Sequence, residues 1–486
     1  MQNVKSIGTG LLCVLISLML VLSAVSCATN QSDNTEASQT GSTVSEEESG
    51  YKPEISKKDY NCDFNVVLGG NWVKDLYLPD SEEGQSDNGV PFAVYERWMK
   101  IKDQLGVTMQ YVDGGSWTEY ASTISRSVQS GDEDYQMVMT HVYQGIVELV
   151  TNNCLYDFAD LPSVNLEADY WNRDLMDQIK VEDQYLLGYN DFCLSLTHTI
   201  VFNKDLMDKY RMTAPYDLVR NKQWTIDRLL EMASEVSEDS NGDGKMDWND
   251  TYGMTGWGWT FLISFVTSSD LKIVDRDEND HYYIAYEDNE EKTIALIDKV
   301  KGMYESEYSY MWKSSYNPEQ TVPFESGRTL FQLYDSTALQ NLRGEDIRFG
   351  VLPYPLWDEN QENYRSLNWN GVIGIPGVVR NPEMVSDVLE LSAYYTEPVK
   401  IAYYEQLLGA KVADAPDDVD MLNTIWASQV SDVGLVFCNA SGAMDSLVYL
   451  LPKLCESPKT KFASFMRSNK KNAQAGLDKV FDSALR

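Results

Sequence analysis

Apolar and polar positions change rhythm along the chain, and the first clear strand pattern begins just after residue 60. Phe64-Asn65-Val66-Val67-Leu68 is a short β-rich run closed by Gly69-Gly70, which predicts a strand. Val94 to Leu105 carries helical periodicity, Gly106 ends it, and Val107–Val112 reads as the next strand. Tyr120, Ile124 and Val128 mark one face of a second helix. Gly131-Asp132 then turns into Tyr135–Thr140, which again reads as a strand. Strands alternating with helices of this length predict βαβ units, an α/β fold and a largely parallel sheet. Ligands in such sheets sit beyond the C-terminal ends of the strands. Trp72 and Tyr143, each just after a predicted strand, are therefore the first binding candidates. Packing of either ring on its own loop is the alternative.

Before residue 61 the pattern is different. Lys5 precedes an apolar run, Leu11–Leu22, that is short of the ~20 residues a stable membrane span needs. Small residues Ser23, Ala24 and Ser26 follow, then Cys27. Residues 1–26 are thus expected to be an export signal. Leu22-Ser23-Ala24-Val25-Ser26-Cys27 resembles a bacterial lipobox, with Ala24 where that pattern usually has Leu. The resemblance implies a diacylglyceryl (palmitate-type) lipid on Cys27; a signal cut near Ser26 or an uncleaved anchor are the alternatives. Residues 27–60 are polar and acidic, rich in Ser, Thr and Glu, and too poor in apolar groups to order themselves, which predicts a flexible tether. As a coil it would average on the order of 30 Å end to end.

Composition narrows the function. The 486 residues hold 39 Lys and Arg against 75 Asp and Glu, a net charge of -36. A nucleic-acid binder needs the opposite balance, because cations must displace phosphate counterions. With 43% hydrophobic residues, the chain has enough to build cores for two or three domains. The 30 Tyr and 12 Trp outnumber 14 Phe, a mix suited to half-wet clefts as well as to interiors. Beyond Cys13 and Cys27, the thiols Cys62, Cys154, Cys193, Cys438 and Cys455 are odd in number and irregularly spaced. Packed free thiols are expected, not a disulfide or zinc framework.

Residues 239–250, Asp-Ser-Asn-Gly-Asp-Gly-Lys-Met-Asp-Trp-Asn-Asp, match the twelve-residue calcium loop. Asp239, Asn241, Asp243, Asp247 and Asp250 would offer side-chain oxygens, Lys245 its carbonyl, and Gly244 the sharp turn. Asp250 stands where a longer Glu is usual. No helix is predicted after the loop, so the expected role of calcium is a structural staple and not a sensor. A polar turn without metal is the alternative. No GxSxG, HExxH or GxxxxGK[ST] motif occurs, and His141, His198 and His281 are widely separated. His141 follows a predicted strand and reads as a satisfied loop histidine, with a place lining a cleft as the alternative. An enzyme is not expected.

Gly188-Tyr189, then Phe202-Asn203-Lys204-Asp205-Leu206, Trp224–Leu229, Ser326–Phe331 and Phe349–Pro355 resemble, in this order, the family 1 extracellular solute-binding proteins of bacterial ABC importers. The resemblance covers most of 61–470. It implies a type II periplasmic-binding-protein fold: two α/β lobes joined by hinge crossings that close on a ligand. Lobe 1 would take 61–195 plus 366–410, and lobe 2 would take 196–365 plus 411–486. It further implies capture of a solute outside the cell, at a membrane held by the lipid anchor, by a monomer that delivers to an ABC permease. Stacking rings and hydroxyl acceptors favour a sugar, an oligosaccharide above all, at Trp72, Tyr143, Asn190, Asp191, Trp257, Trp259, Tyr334, Asp335, Trp369 and Asn370. Trp257 and Trp259 could instead share the core face of one strand. A peptide or other small organic solute, a surface-anchored polysaccharide hydrolase and a sensory module remain alternatives.

Overall fold

A computed structural model describes residues 51–70, 89–116, 118–143, 145–190, 197–312, 322–336, 339, 342, 347–369, 371–408 and 415–484. The expected signal, Cys27, Trp72, Asp191, Cys193 and Asn370 lie outside the described residues.

The expected alternation opens the fold. β1 (Cys62–Gly69), α1 (Val90–Leu105), β2 (Val107–Asp113), α2 (Glu119–Ser130), β3 (Met137–His141) and α3 (Ile146–Thr151) follow one another. β1 pairs in parallel with both β2 and β3. α1 starts with a proline in its first turn and buries Val90, Val94, Trp98, Ile101 and Leu105, one stripe of the helix. Gly106 ends it at φ 66, in the left-handed region, and its N–H closes on the Lys102 carbonyl. An added Cβ there would lie 2.2 Å from Asp59 Oδ1, so space as well as backbone geometry demands glycine. β3 is buried at every position, which is why Met137-Val138-Met139 is apolar without alternation.

The middle of the chain builds a second sheet. β4 (His198–Asn203), α4 (Ile226–Ser234), β5 (Ser237–Glu238), β6 (Thr251–Trp257) and α5 (Gly258–Phe261) come first. A separate hairpin follows, β7 (Val274–Arg276) with β8 (Tyr282–Ile284), then β9 (Ser309–Trp312), β10 (Thr329–Asp335) and β11 (Phe349–Leu352). The sheet order is β11-β4-β10-β6-β5, with β9 beside β6. β6 runs parallel to β10 and β9, whereas β4 is antiparallel to both β10 and β11. The expectation of a largely parallel sheet therefore holds for β1–β3 and fails here.

The chain then returns. β12 (Ser366–Leu367) leads to β13 (Gly371–Gly374), which joins the first sheet antiparallel to β3 and gives the order β13-β3-β1-β2. α6 (Pro382–Tyr394) and α7 (Glu397–Leu408) pack on α1, and α8 (Pro416–Ala427) packs on β11 of the second sheet. β14 (Gln429–Val430) lies parallel to β12. Helices α9 (Gly442–Val448), α10 (Leu450–Glu456) and α11 (Phe462–Ala484) finish the fold, and α11 touches both α3 and β8. Where the chain passes between the sheets it pairs with itself, through antiparallel bridges Gly188–Ile373 and Thr197–Asn368.

The last residues assigned above to a tether are fastened down. Tyr60 and Lys58 donate backbone N–H groups to the carbonyls of Leu105 (2.8 Å) and Gln104 (2.9 Å) at the end of α1. Lys58 Nζ lies 2.6 Å from the buried Asp387 carboxylate on α6, which also accepts from Tyr60 (2.8 Å) and Ser163 (2.6 Å). Composition averaged over the segment hides this, because two side chains at its end carry the docking. Cys154, Cys438 and Cys455 are buried free thiols and Cys62 is half-buried, as expected for packed thiols. Among the described residues no helix is long and apolar enough to cross a membrane.

Candidate ligand-binding site

The strand directions bring particular ends together. β13 is antiparallel to β3, with Gly371 opposite His141, so the chain entering β13 lies beside the C-terminal end of β3. β4 is antiparallel to β10, with His198 opposite Asp335, so the start of β4 lies at the C-terminal end of β10. The first sheet thus presents His141 and Tyr143, the second presents His198, Trp257, Tyr334 and Asp335, and Trp369 stands in the passage between them.

Trp369 is the centre of a ring cluster. His198 stacks on it at 5.4 Å and 29°, Tyr143 at 5.5 Å and 29°, and His141 meets it edge-on at 5.3 Å. A second stack is formed by Trp259 and Tyr449, 4.7 Å apart and 19° from parallel, and Tyr449 meets Tyr143 edge-on at 6.3 Å. Trp369, Tyr143, Trp257 and Trp259 are half-buried, so part of each ring can be reached from solvent. Such rings combine an apolar face with a polar edge, which fits the C–H faces of a flat, hydroxylated ligand.

The polar groups divide into satisfied and open ones. Both histidines are fully buried and held neutral, with desolvation pulling each pKa down to about 3. His141 Nδ1 accepts the backbone N–H of Tyr143 at 3.0 Å, and His198 Nδ1 lies 2.6 Å from Ser264 Oγ. Burial also pushes the Tyr143 and Tyr449 hydroxyls well above their ordinary range, keeping them as protonated donors. Tyr143 Oη donates to Asp445 Oδ1 at 3.3 Å. Asp445 Oδ2 pairs with Lys453 Nζ at 3.3 Å, and that ammonium lies 5.7 Å from the centre of the Trp259 ring.

The structure gathers Tyr143, Trp259 and Trp369, with Tyr334 and Asp335 at the edge of the same cluster. Tyr334 is only 3% exposed and packs beside Phe261 (6.4 Å), so it supports the site without offering a face. Asn190 is buried in the passage from the first sheet, and its Oδ1 has no hydrogen-bond partner. Trp257 ends β6 while Trp259 lies in α5, so the two do not share one face of a strand. Tyr449, Asp445 and Lys453 were not visible to sequence reasoning. They come from α9, α10 and the residue between them, some three hundred residues after Tyr143, and no motif marks them.

The loop 239–250 lies elsewhere, between β5 and β6. Its side chains fold back on its own backbone: Asp239 accepts from Gly242 (2.7 Å) and Gly244 (2.8 Å), and Asp243 from Lys245 (2.9 Å). Asp250 is fully buried and accepts from Asp247 (2.8 Å) and Ser240 (2.9 Å). Those backbone N–H bonds, Asp247 foremost, hold its pKa below the usual carboxylate value. The oxygen donors suit a hard cation in kind. Among the described residues, however, no group of three or more His, Cys, Asp or Glu side chains is drawn close enough to hold a metal.

A family profile described as bacterial extracellular solute-binding protein matches residues 98–409, well over half of the chain. The chain belongs to that family. By that description its members are extracellular and bind solutes. No curated protein matches the chain by sequence. Solved structures show the fold. It is similar to the ABC substrate-binding protein Lmo0181 from Listeria monocytogenes in complex with cycloalternan, at 12% identity and TM-score 0.54, covering 87% of this chain and 99% of that one. It is similar also to the maltose/maltodextrin-binding domain MalE from Bdellovibrio bacteriovorus bound to maltotriose, at 11% identity and TM-score 0.51, covering 87% and 98%. The solute-binding protein thus has the two-lobed type II architecture, and its ring cluster lies where the two sheets meet.

Proposed function

We propose that this solute-binding protein is the substrate-binding component of an ABC importer and takes a sugar, an oligosaccharide, from outside the cell. Closure of the lobes on the ligand would deliver it to a permease in the membrane. The observation that carries the reading is the pair of ring stacks between the sheets, Tyr143–Trp369 and Trp259–Tyr449, in which Tyr143, Trp369 and Trp259 are half-buried. The cycloalternan and maltotriose held by the two similar structures agree with it. Cys27 would carry the lipid that holds the protein, as a monomer, at the outer face of the membrane, on the strength of the lipobox-like run. Calcium would be structural, bound by Asp239, Asn241, Asp243, Asp247 and Asp250 with the Lys245 carbonyl.

A thermal-shift screen of the protein against mono- and oligosaccharides tests the central claim. A ligand that binds only the native state adds about 2.7 kcal/mol at a hundred times its Kd. A concentration-dependent rise in melting temperature with an oligosaccharide is expected. A rise with peptides and none with any sugar would overturn the substrate class.

A further inference from the structure

We propose that Asp445 and Lys453, from the helices α9 and α10 near the end of the chain, are the specificity-determining groups of the site, and that they select a neutral sugar ring with two unmodified adjacent hydroxyls. The inference rests on the sugar-binding reading above and deepens it.

The pair sits between the two ring stacks. Asp445 Oδ1 accepts from the hydroxyl of Tyr143, on the first-sheet side, while Lys453 Nζ lies 5.7 Å from the Trp259 ring on the second-sheet side. Neither charge is sealed off. Asp445 keeps 31% and Lys453 27% of side-chain exposure, next to rings that are themselves half-buried. Their mutual contact is 3.3 Å, longer than a well-formed ammonium–carboxylate bond, and the Lys453 ammonium also donates to Ser446 Oγ, at 3.1 Å. A carboxylate has about four acceptor sites and an ammonium three donors, so each member retains unused capacity.

Adjacent sugar hydroxyls match that vacancy. One donates to the carboxylate while its neighbour accepts from the ammonium, with the ring face laid on an aromatic platform. The paired charges also set the charge of the ligand. Asp445 and Lys453 together are neutral, so a neutral diol satisfies both without leaving either charge exposed to an unmatched partner. A carboxylate or ammonium on that ring would pair with one member and repel the other, in a half-buried setting where such mismatches are costly. Removing either hydroxyl would leave a desolvated polar group without a partner, the strongest discrimination a polar site achieves.

The test measures affinity by calorimetry for the wild-type protein, Asp445→Asn and Lys453→Met against maltotriose and a panel of neutral oligosaccharides, then against monodeoxy and uronate analogues of the best binder. Unliganded melting temperatures confirm that each variant is folded. The wild type is expected to lose at least about tenfold with one of two adjacent deoxy analogues and with the uronate. Lys453→Met is expected to lose a similar factor with the parent sugar and to show no further loss with the matching deoxy analogue. Equal affinities of wild type and both variants for the parent sugar would overturn this assignment while leaving sugar binding in place. Additive losses from Lys453→Met and every deoxy analogue would also overturn it. Failure of the wild type to bind any neutral sugar would instead overturn the proposed function, and this assignment with it.

Discussion

His141 and His198 show how burial, not charge pairing, sets the chemistry of individual side chains here. Each is enclosed at the end of an interior strand and desolvated, and each is therefore neutral in the fold with a pKa near 3 against 6.5 outside it. The sign follows from linkage. Between pH 6.5 and 3 the unfolded chain takes up protons that the folded chain refuses, so their contribution is complete above pH 6.5 and is lost as pH falls toward 3. Buried Asp432 works against this trend. Its pKa is raised to about 6 by desolvation, so over pH 3.8 to 6 it favours the folded state at the acid end. Urea unfolding from pH 7 to pH 4 is expected to show stability falling on acidification, and less steeply in His198→Gln. An equal slope in that variant would remove His198 from the account. His141 was expected in a loop and instead closes β3, its ring against Trp369; that it and His198 bracket one tryptophan was not legible, because the three residues share no local pattern.

Elements were the most legible level, wherever a local signal was strong. The stripe of α1, its glycine stop, and the Thr225 cap on α4, whose hydroxyl oxygen accepts from the Arg228 N–H at 3.2 Å, all follow from short-range rules. Two measurements probe this level. Gly106→Ala places a Cβ at positive φ against Asp59, and should cost about 1–3 kcal/mol in urea unfolding, the range for strained backbone. The proposed calcium would sit in the loop between β5 and β6: on that reading a chelator is expected to lower the melting temperature, and Asp239→Ala to abolish that sensitivity. Unchanged melting with chelator would show the loop is closed by its own N–H groups alone. The misjudged elements were those with no local signature. β4 reads as an ordinary strand, and only its partners make it antiparallel. The segment around Lys58 reads as tether until Asp387, far along the chain, supplies its anchor.

The two sheets meet through chain passages that return from distant sequence, and the proposed function depends on that arrangement. Trp369 touches residues of both sheets, so its loss should register in binding more than in folding. Trp369→Ala is expected to weaken oligosaccharide binding by about tenfold or more, roughly the ~1.4 kcal/mol of a lost ring contact. Fluorescence titration measures it, and unchanged affinity would take Trp369 out of the site.

The amino-acid order alone was sufficient for the α/β class, the leading βαβ units, the family resemblance and several of the rings that line the meeting of the sheets. Those features are written in periodicity, caps and short motifs, each decided by neighbours within a few residues. Which rings actually stack, which are sealed in, and that α9 and α10 bring a charged pair between them are properties of long-range packing. Such contacts depend on where strands enter a sheet and which ends coincide, and no local spacing encodes that.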